Sequence, residues 1–348
     1  MRTLRASAAP YTAKVTAPPP EFHLAGGFSR DAIAFADGTT ETDRIGGNAL
    51  WAAMGARLAG ATPHVHTVVG EGYPDSVLGR LRELGIDTSG VRRDETIPGV
   101  RVTFSYTADG SRRQPADPAT VAALPVATRE LFIDTTRDPE QNLRALVTVD
   151  DLPREASGTA WHLGLLPLAR AGQLLERLRD TGAAYLQLDC PARSELARAG
   201  VDALAEVLPQ AEVFLPSTSD TEVFAPGVPR DELLARFHAL GAATVVLKCG
   251  DDGALLSERG GPVWHVPVFP EPAFADATGA GDVFGGAFGA RLRATGDLLD
   301  AVCTGAAAAS VSTRCRSPLD LAELDPAEVE ERRAHIARRA SEQKASRP

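Results

Sequence analysis

The chain has 348 residues, 44% of them hydrophobic and 24% charged, with a formal net charge of −10 and a pI near 5.3. That length and composition predict one globular α/β domain with a small appendage, and exclude a largely disordered chain. The acidic balance argues against nucleic acid or an anionic membrane as the main partner, but not against small phosphorylated ligands, which glycines and helix ends can bind locally.

Cys190, Cys249, Cys303 and Cys315 are widely spaced with no C-x-x-C pair, so neither zinc nor a disulfide framework is expected. No apolar run nears the ~18 residues that would cross a membrane. Residues 1–20 carry a triple proline (Pro18 to Pro20) and lack the apolar core of a secretory signal, which predicts a flexible leader on a cytoplasmic protein.

From residue 21 onward, short apolar runs alternate with amphipathic stretches. The predicted strands are Phe22–Gly26, Val65–Val69, Trp161–Leu165, Ala184–Leu188, Glu212–Leu215 and Thr244–Lys248. Between them, Asp75–Leu84, Ala171–Thr181, Ser194–Leu208 and Arg230–Leu240 read as helices. Such alternation predicts a parallel sheet covered by helices on both faces, with ligands at the carboxyl ends of the strands. Two pieces break the rhythm. Arg101–Tyr106 alternates strictly and runs into the turn Ala108-Asp-Gly110, and Ala32–Thr42 is turn-rich. They are expected to pair as a small antiparallel flap over the active end of the sheet, or else to form a solvent-facing hairpin. Residues 107–160 give no clear period. After residue 325 the chain is highly charged, predicting a surface helix (Pro326–Arg339) and a frayed tail.

The segment Asp276-Ala-Thr-Gly-Ala-Gly-Asp282 runs straight into a small-residue helix. Gly279 and Gly281 let the backbone turn its N–H groups towards one point. The unpaired amides and dipole of the helix start add positive character, making an anion hole suited to a transferring phosphoryl group. Asp282 either caps this helix or accepts a proton from an attacking hydroxyl, and the Gly-Ala-Gly turn before it favours the base.

This segment closely resembles the C-terminal signature of the ribokinase-like PfkB kinases, D-T-x-G-A-G-D, departing at Ala277. The resemblance implies Asp282 as catalytic base, with Gly279, Ala280, Gly281 and the Asp282 amide around the anion hole. Ile45-Gly-Gly-Asn48 and the stretch after it resemble the family's N-terminal motif, and Gly26-Gly-Phe-Ser-Arg-Asp31 the end of its first strand. These imply Asp31, Gly47 and Asn48 as substrate contacts, with Asn48 also capping its helix. Val69-Gly-Glu-Gly72 and Leu84–Val91 read in the same way, so the likeness runs from about residue 21 to 318. Val245–Ala254 resembles the strand and turn that approach the nucleotide, which implies Lys248, Gly250 and Gly253 as ATP contacts, together with Thr278. Ala301–Arg314 matches the helix that walls the adenine, including Gly305, where an Asn is common.

Two more departures concern ions. The family's N-x-x-E, which organises Mg²⁺ through water, is here Ser217-Thr-Ser-Asp220, leaving Asp220 for a water-mediated Mg²⁺ role. Arg314-Cys-Arg-Ser317 replaces a glycine-containing loop at a monovalent-cation site, so K⁺ is an open expectation. The resemblance thus implies a ribokinase-like three-layer α/β sandwich: a leader (1–20), a kinase domain (21–325, lid strands within about 28–46 and 95–110) and a charged helix and tail (326–348). It implies ATP-dependent phosphorylation of a sugar or polyol hydroxyl, with Phe104 or Tyr106 as a lid face and a homodimer through the lid left open. The alternatives are a nucleoside kinase of the same fold and a degenerate sugar- or nucleotide-binding regulator.

Overall fold

The structure, a computed structural model, describes residues 21–108 and 112–343. The expected leader, the tip of the turn after Tyr106 and the last tail residues lie outside the described residues. Strand β1 (Glu21–Ala25) leads into β2 (Ser29–Ala34) and β3 (Thr40–Gly46), then α1 (Asn48–Leu58), β4 (Thr62–Val69), α2 (Asp75–Glu83), β5 (Asp87–Arg93), β6 (Val100–Tyr106) and β7 (Arg112–Arg113). Three short helices follow: α3 (Pro118–Ala122), α4 (Val126–Arg129) and α5 (Pro139–Arg144). Next come β8 (Ala160–Leu163), α6 (Leu168–Asp180), β9 (Tyr185–Asp189), α7 (Arg193–Ala199), β10 (Val213–Leu215), α8 (Thr218–Phe224), α9 (Arg230–Ala239) and β11 (Thr244–Lys248). The chain ends with β12 (Ala254–Glu258), β13 (Val263–Val266), α10 (Ala280–Thr295), α11 (Leu298–Ser312), α12 (Pro326–Ala337) and β14 (Ser341–Glu342).

The main sheet has the order β14-β13-β12-β11-β10-β9-β8-β1-β4-β5. Strands β5 to β11 along that order are parallel, and β12, β13 and β14 add antiparallel edges. β8, β9 and β11 are buried along their whole length, as strands covered on both faces must be. One core lies between the sheet and α1, α10 and α11, and the other between the sheet and α6 and α9.

A second, four-stranded sheet has the order β3-β2-β6-β7 and forms the lid. β2 and β6 pair in parallel, which corrects the expected antiparallel flap. The chain enters both strands directly from parallel strands of the main sheet, β1 and β5, so they arrive running the same way; α1, β4, α2 and β5 supply the crossover that parallel pairing needs. The antiparallel partners are β3 and β7. Two close backbone approaches mark where the lid joins the body. Gly47 has φ 109°, and a Cβ there would lie 2.3 Å from the Gly27 carbonyl oxygen. A Cβ on Gly70 would lie 2.0 Å from the Gly99 nitrogen. Residues 134–135 finish the lid by side-chain bonds, with Asp134 accepting from Thr103 N–H at 3.1 Å and Thr135 Oγ1 from Arg101 N–H at 2.9 Å.

Two further expectations change. The stretch Ser194–Leu208 is not one helix: Gly200, at φ 84°, stops α7 at Ala199, and a 3₁₀ turn continues from Val201 to Glu206. Among the described residues, the segment after 325 is more closely packed than its charge suggests. α12 buries Val329, Arg332 and Ile336, and Ser341–Glu342 pairs with β13.

Candidate active site

Gly279 is the N-cap of α10, with φ 78°. A Cβ there would fall 2.2 Å from the Trp51 ring, so glycine is required by both conformation and space. No side chain caps this helix, which leaves its first amides facing outward. α10 can come this close because its small residues lie against α1: a Cβ on Gly286 would meet the Ala52 carbonyl, and one on Gly55 the Val283 carbonyl. Trp51 meets Gly279 and Gly55 meets Val283, one turn on in each helix. The N-termini of α1 and α10 therefore lie at the same end, and Gly47–Asn48 sits beside the Gly279–Asp282 turn.

Asp282 is the third residue of α10 and half-buried, and it is not the cap. Burial pushes its carboxyl up to about 7, helped by the Asp189 charge and opposed by Lys248 and Arg112. Lys248, at the end of β11, donates to Asp189 Oδ1 at 2.9 Å and Oδ2 at 3.2 Å, and lies 3.4 Å from the Gly281 carbonyl oxygen. Although burial alone would lower its pKa, the Asp189 and Asp220 carboxylates raise it, so the ammonium stays charged. Lys248 thus reaches the Gly279–Asp282 turn itself. Asp189 ends β9 one residue beyond the predicted strand; its position at a carboxyl end was the signal that sequence reasoning passed over.

Asp31 lies in β2, opposite Arg44 of β3 and Val102 of β6, and is only 4% exposed. Its Oδ1 has no hydrogen-bond partner among the described residues. Burial raises its carboxyl to about 7, against the pull of Ser29, Arg44 and Arg112. Arg112 acts on both Asp31 and Asp282, so the guanidinium stands within electrostatic reach of both carboxyls. It also packs over Phe104 and donates to Thr278 Oγ1 at 3.0 Å. From the other lid strands, Arg44 Nη1 reaches Asp276 Oδ2 at 2.9 Å, and the Tyr106 hydroxyl donates to Asp276 Oδ1 at 2.8 Å.

The other expected residues are distributed as follows. Asn48 is the first residue of α1, and the cap is Gly47, a correction to the capping expectation. Its side chain instead ties three segments, with Oδ1 accepting from Gly27 N–H at 2.8 Å and Nδ2 donating to the Leu165 carbonyl at 3.1 Å. Gly250 and Gly253 form the turn between β11 and β12, beside an open cavity of about 480 Å³ lined in part by Asp251, Asp252 and His265. Gly305 is buried in α11, where a Cβ would meet the Phe284 ring and carbonyl at 3.0 Å, so its lack of a side chain serves helix packing.

The Asp220 carboxylate closes a capping box on α8: its Oδ2 accepts from Ser217 N–H at 3.0 Å and Ser217 Oγ at 2.5 Å, while Oδ1 lies 3.6 Å from Arg193. With one oxygen committed and the other facing a cation, Asp220 suits a hydrated Mg²⁺ held through water, not direct coordination. Around residues 314–317, where K⁺ was an open expectation, the neighbouring polar groups already have partners. The Thr313 carbonyl accepts from Ala275 and Asp276 N–H, at 2.7 and 3.0 Å. Arg314 brings a positive charge of its own, paired with Glu328 at 2.7 Å, and the Asp276 carboxylate is already met by Arg44.

The sequence profile of the pfkB family carbohydrate kinases matches residues 156–323. A 2-dehydro-3-deoxygalactonokinase of Haloferax volcanii is 29% identical over 331 residues, spanning 89% of this chain and 87% of that protein. Aminoimidazole riboside kinase from Salmonella enterica, solved with aminoimidazole riboside and an ATP analogue, superposes with a TM-score of 0.68 at 16% identity, over 90% of this chain and 99% of the other. Arabidopsis thaliana ribokinase, solved with ribose and ATP, gives 0.65 at 18% identity, over 91% and 99%. The likeness to these two structures is one of overall fold.

Proposed function

We infer, from the match of residues 156–323 to the pfkB family of carbohydrate kinases and from the likeness to the Haloferax volcanii kinase, that this protein is a sugar kinase that uses Asp282 to take the proton of an acceptor hydroxyl as that oxygen attacks the γ-phosphoryl group of ATP. The observation that carries the reading is the placement of Asp282 behind the uncapped amides of α10, with a carboxyl raised to about 7. A base tuned near the operating pH accepts a proton in the forward step and releases it afterwards. The Ala280, Gly281 and Asp282 amides face the charge that builds on the transferring group, and Lys248 adds a fixed positive charge beside them. Asp31, with its unpartnered buried oxygen, accepts from acceptor hydroxyls, and Gly47 lets the acceptor approach the backbone. Mg²⁺ supplies charge neutralisation on the nucleotide phosphates, and Asp220 and Asp189 would hold its water shell. The lid, with Phe104 and Tyr106, keeps bulk water from the site.

The acceptor class follows from Arg112 and from the relative's substrate. The Arg112 guanidinium stands within electrostatic reach of both Asp31 and Asp282, on the side of the site where the acceptor would lie. A 2-dehydro-3-deoxy sugar acid brings a carboxylate that a guanidinium binds in two-pronged fashion. The test is ATP turnover against a panel of sugar acids, neutral sugars, polyols and nucleosides. The sugar acids should give the highest kcat/KM. Preference for a neutral sugar refutes the acid assignment, preference for a nucleoside moves the chain to another substrate class, and no turnover with any member refutes catalysis.

A further inference from the structure

Three lid strands converge on one short segment of the body. Arg44 (β3) and Tyr106 (β6) bind opposite oxygens of the Asp276 carboxylate, at 2.9 and 2.8 Å. The Tyr106 hydroxyl also lies 3.0 Å from Thr278 Oγ1, which accepts from Arg112 (β7) at 3.0 Å. Asp276 Oδ1 in turn accepts the Thr278 N–H at 2.8 Å. Immediately after Thr278 comes Gly279, in its left-handed conformation, and then the amides of α10.

The lid side of this contact is assembled within the lid. Arg44 is held by Glu41 at 2.6 Å and lies over the Phe35 ring, which stacks on Tyr106 at 5.6 Å. The body side is a single carboxylate with no cation of its own, other than Arg44, among the described ion pairs. Without the lid, Arg44 would keep Glu41, whereas Asp276 would keep only its bonds to Thr278.

We propose that Asp276 is the catch of the lid: Arg44 and Tyr106 seat on it when the lid shuts, and through Thr278 that seating holds the Gly279–Asp282 turn in its phosphoryl-binding shape. Arg44, Tyr106 and Asp276 are positioning residues, which act on the turn through Thr278. Acceptor bound under the lid is thereby linked to the amides that stabilise transfer. The catalytic consequence rests on the kinase reading above, but the mechanical tie between lid and turn does not.

The experiment compares Tyr106→Phe, Arg44→Met and Arg44→Lys with wild type in two measurements. In the first, acceptor phosphorylation and free phosphate release are followed together. Tyr106→Phe and Arg44→Met should each raise the acceptor KM about five- to tenfold, the size of one lost hydrogen bond, with the ATP KM within about twofold. Both should raise the phosphate released per acceptor phosphorylated, and Arg44→Lys should recover part of the loss. In the second, hydrogen exchange should quicken at least about tenfold both in residues 40–46 and 100–106 and in residues 279–283. Exchange that quickens in the lid alone, or both KM values rising together with an unchanged phosphate ratio, overturns the catch. Tyr106→Phe removes a single hydroxyl, so it decides the matter should an Arg44 variant fold poorly. If wild type uses ATP with no acceptor, the kinase reading falls, and exchange alone decides whether lid and turn are tied.

Discussion

Replacing Asp282 by Asn separates the base from the cap by the sign of a stability change. In the fold the carboxyl is raised from 3.8 to about 7, mainly because burial disfavours its charge. Folding therefore takes up a proton between about pH 4 and pH 7, where the unfolded Asp is ionised and the folded one is not. Stability contributed at this site falls as pH rises through that window and levels off above it. At 1.36 kcal/mol per pKa step the full cost at pH 8 is about 4 kcal/mol, and solvent at a half-buried group brings it to about 2–4 kcal/mol. Asn carries no charge and escapes that cost. Asp282→Asn should lose at least about 10²-fold in turnover, keep acceptor binding, and gain about 2–4 kcal/mol of stability at pH 8, with a smaller gain at pH 5. Urea unfolding of both proteins at the two pH values measures this beside initial rates. A helix cap behaves oppositely, its removal costing about 1 kcal/mol whenever it is ionised. A variant that is less stable at pH 8, or that turns over like wild type, refutes the assignment.

Asp31→Ala should raise the acceptor KM by about tenfold or more while ATP affinity stays nearly unchanged, read from paired titrations; equal loss of both points to misfolding instead. Asp220→Asn should raise the Mg²⁺ concentration needed for half-maximal rate and lower stability by about 1 kcal/mol through the broken capping box, measured by Mg²⁺ titration and urea unfolding. Ser217→Asn should leave the Mg²⁺ requirement the same or lower it in the same titration. Exchanging K⁺ for Na⁺ or choline should leave the initial rate within about twofold, since Arg314 already brings a positive charge to the loop of residues 314–317; a K⁺-dependent rate would show that a cation does bind there.

Local signals carried most of the fold. Thr244–Lys248 reads as a strand from its apolar run, and β11 has the same bounds; Asp276–Asp282 announces a glycine turn and a helix start through chemistry within seven residues. What escaped was long-range or conditional. Nothing within β2 or β6 says that they pair in parallel, because that depends on the crossover between them. The Arg44–Asp276 pair joins residues 232 positions apart, and Asp189 gains meaning only beside Lys248. A single left-handed glycine, Gly200, outweighed the helical period of Ser194–Leu208. Residues 107–160 lack a period because α3, α4 and α5 are too short to show one, and the segment is held by side-chain bonds such as those of Asp134.

The close approaches of Gly47 to Gly27 and of Gly70 to Gly99 give the lid a mechanical character. The first pins the outgoing and returning chain of β2 and β3 together, reinforced by the Asn48 side chain on Gly27. The second clamps the start of β6 to the end of β4. Two fixed points define a line, and a rigid sheet attached along a line can rotate about it but cannot slide. A lid held so closely at two points would be expected to swing about the line between them, and bulk added at either pin should alter how far it opens before it alters what it covers.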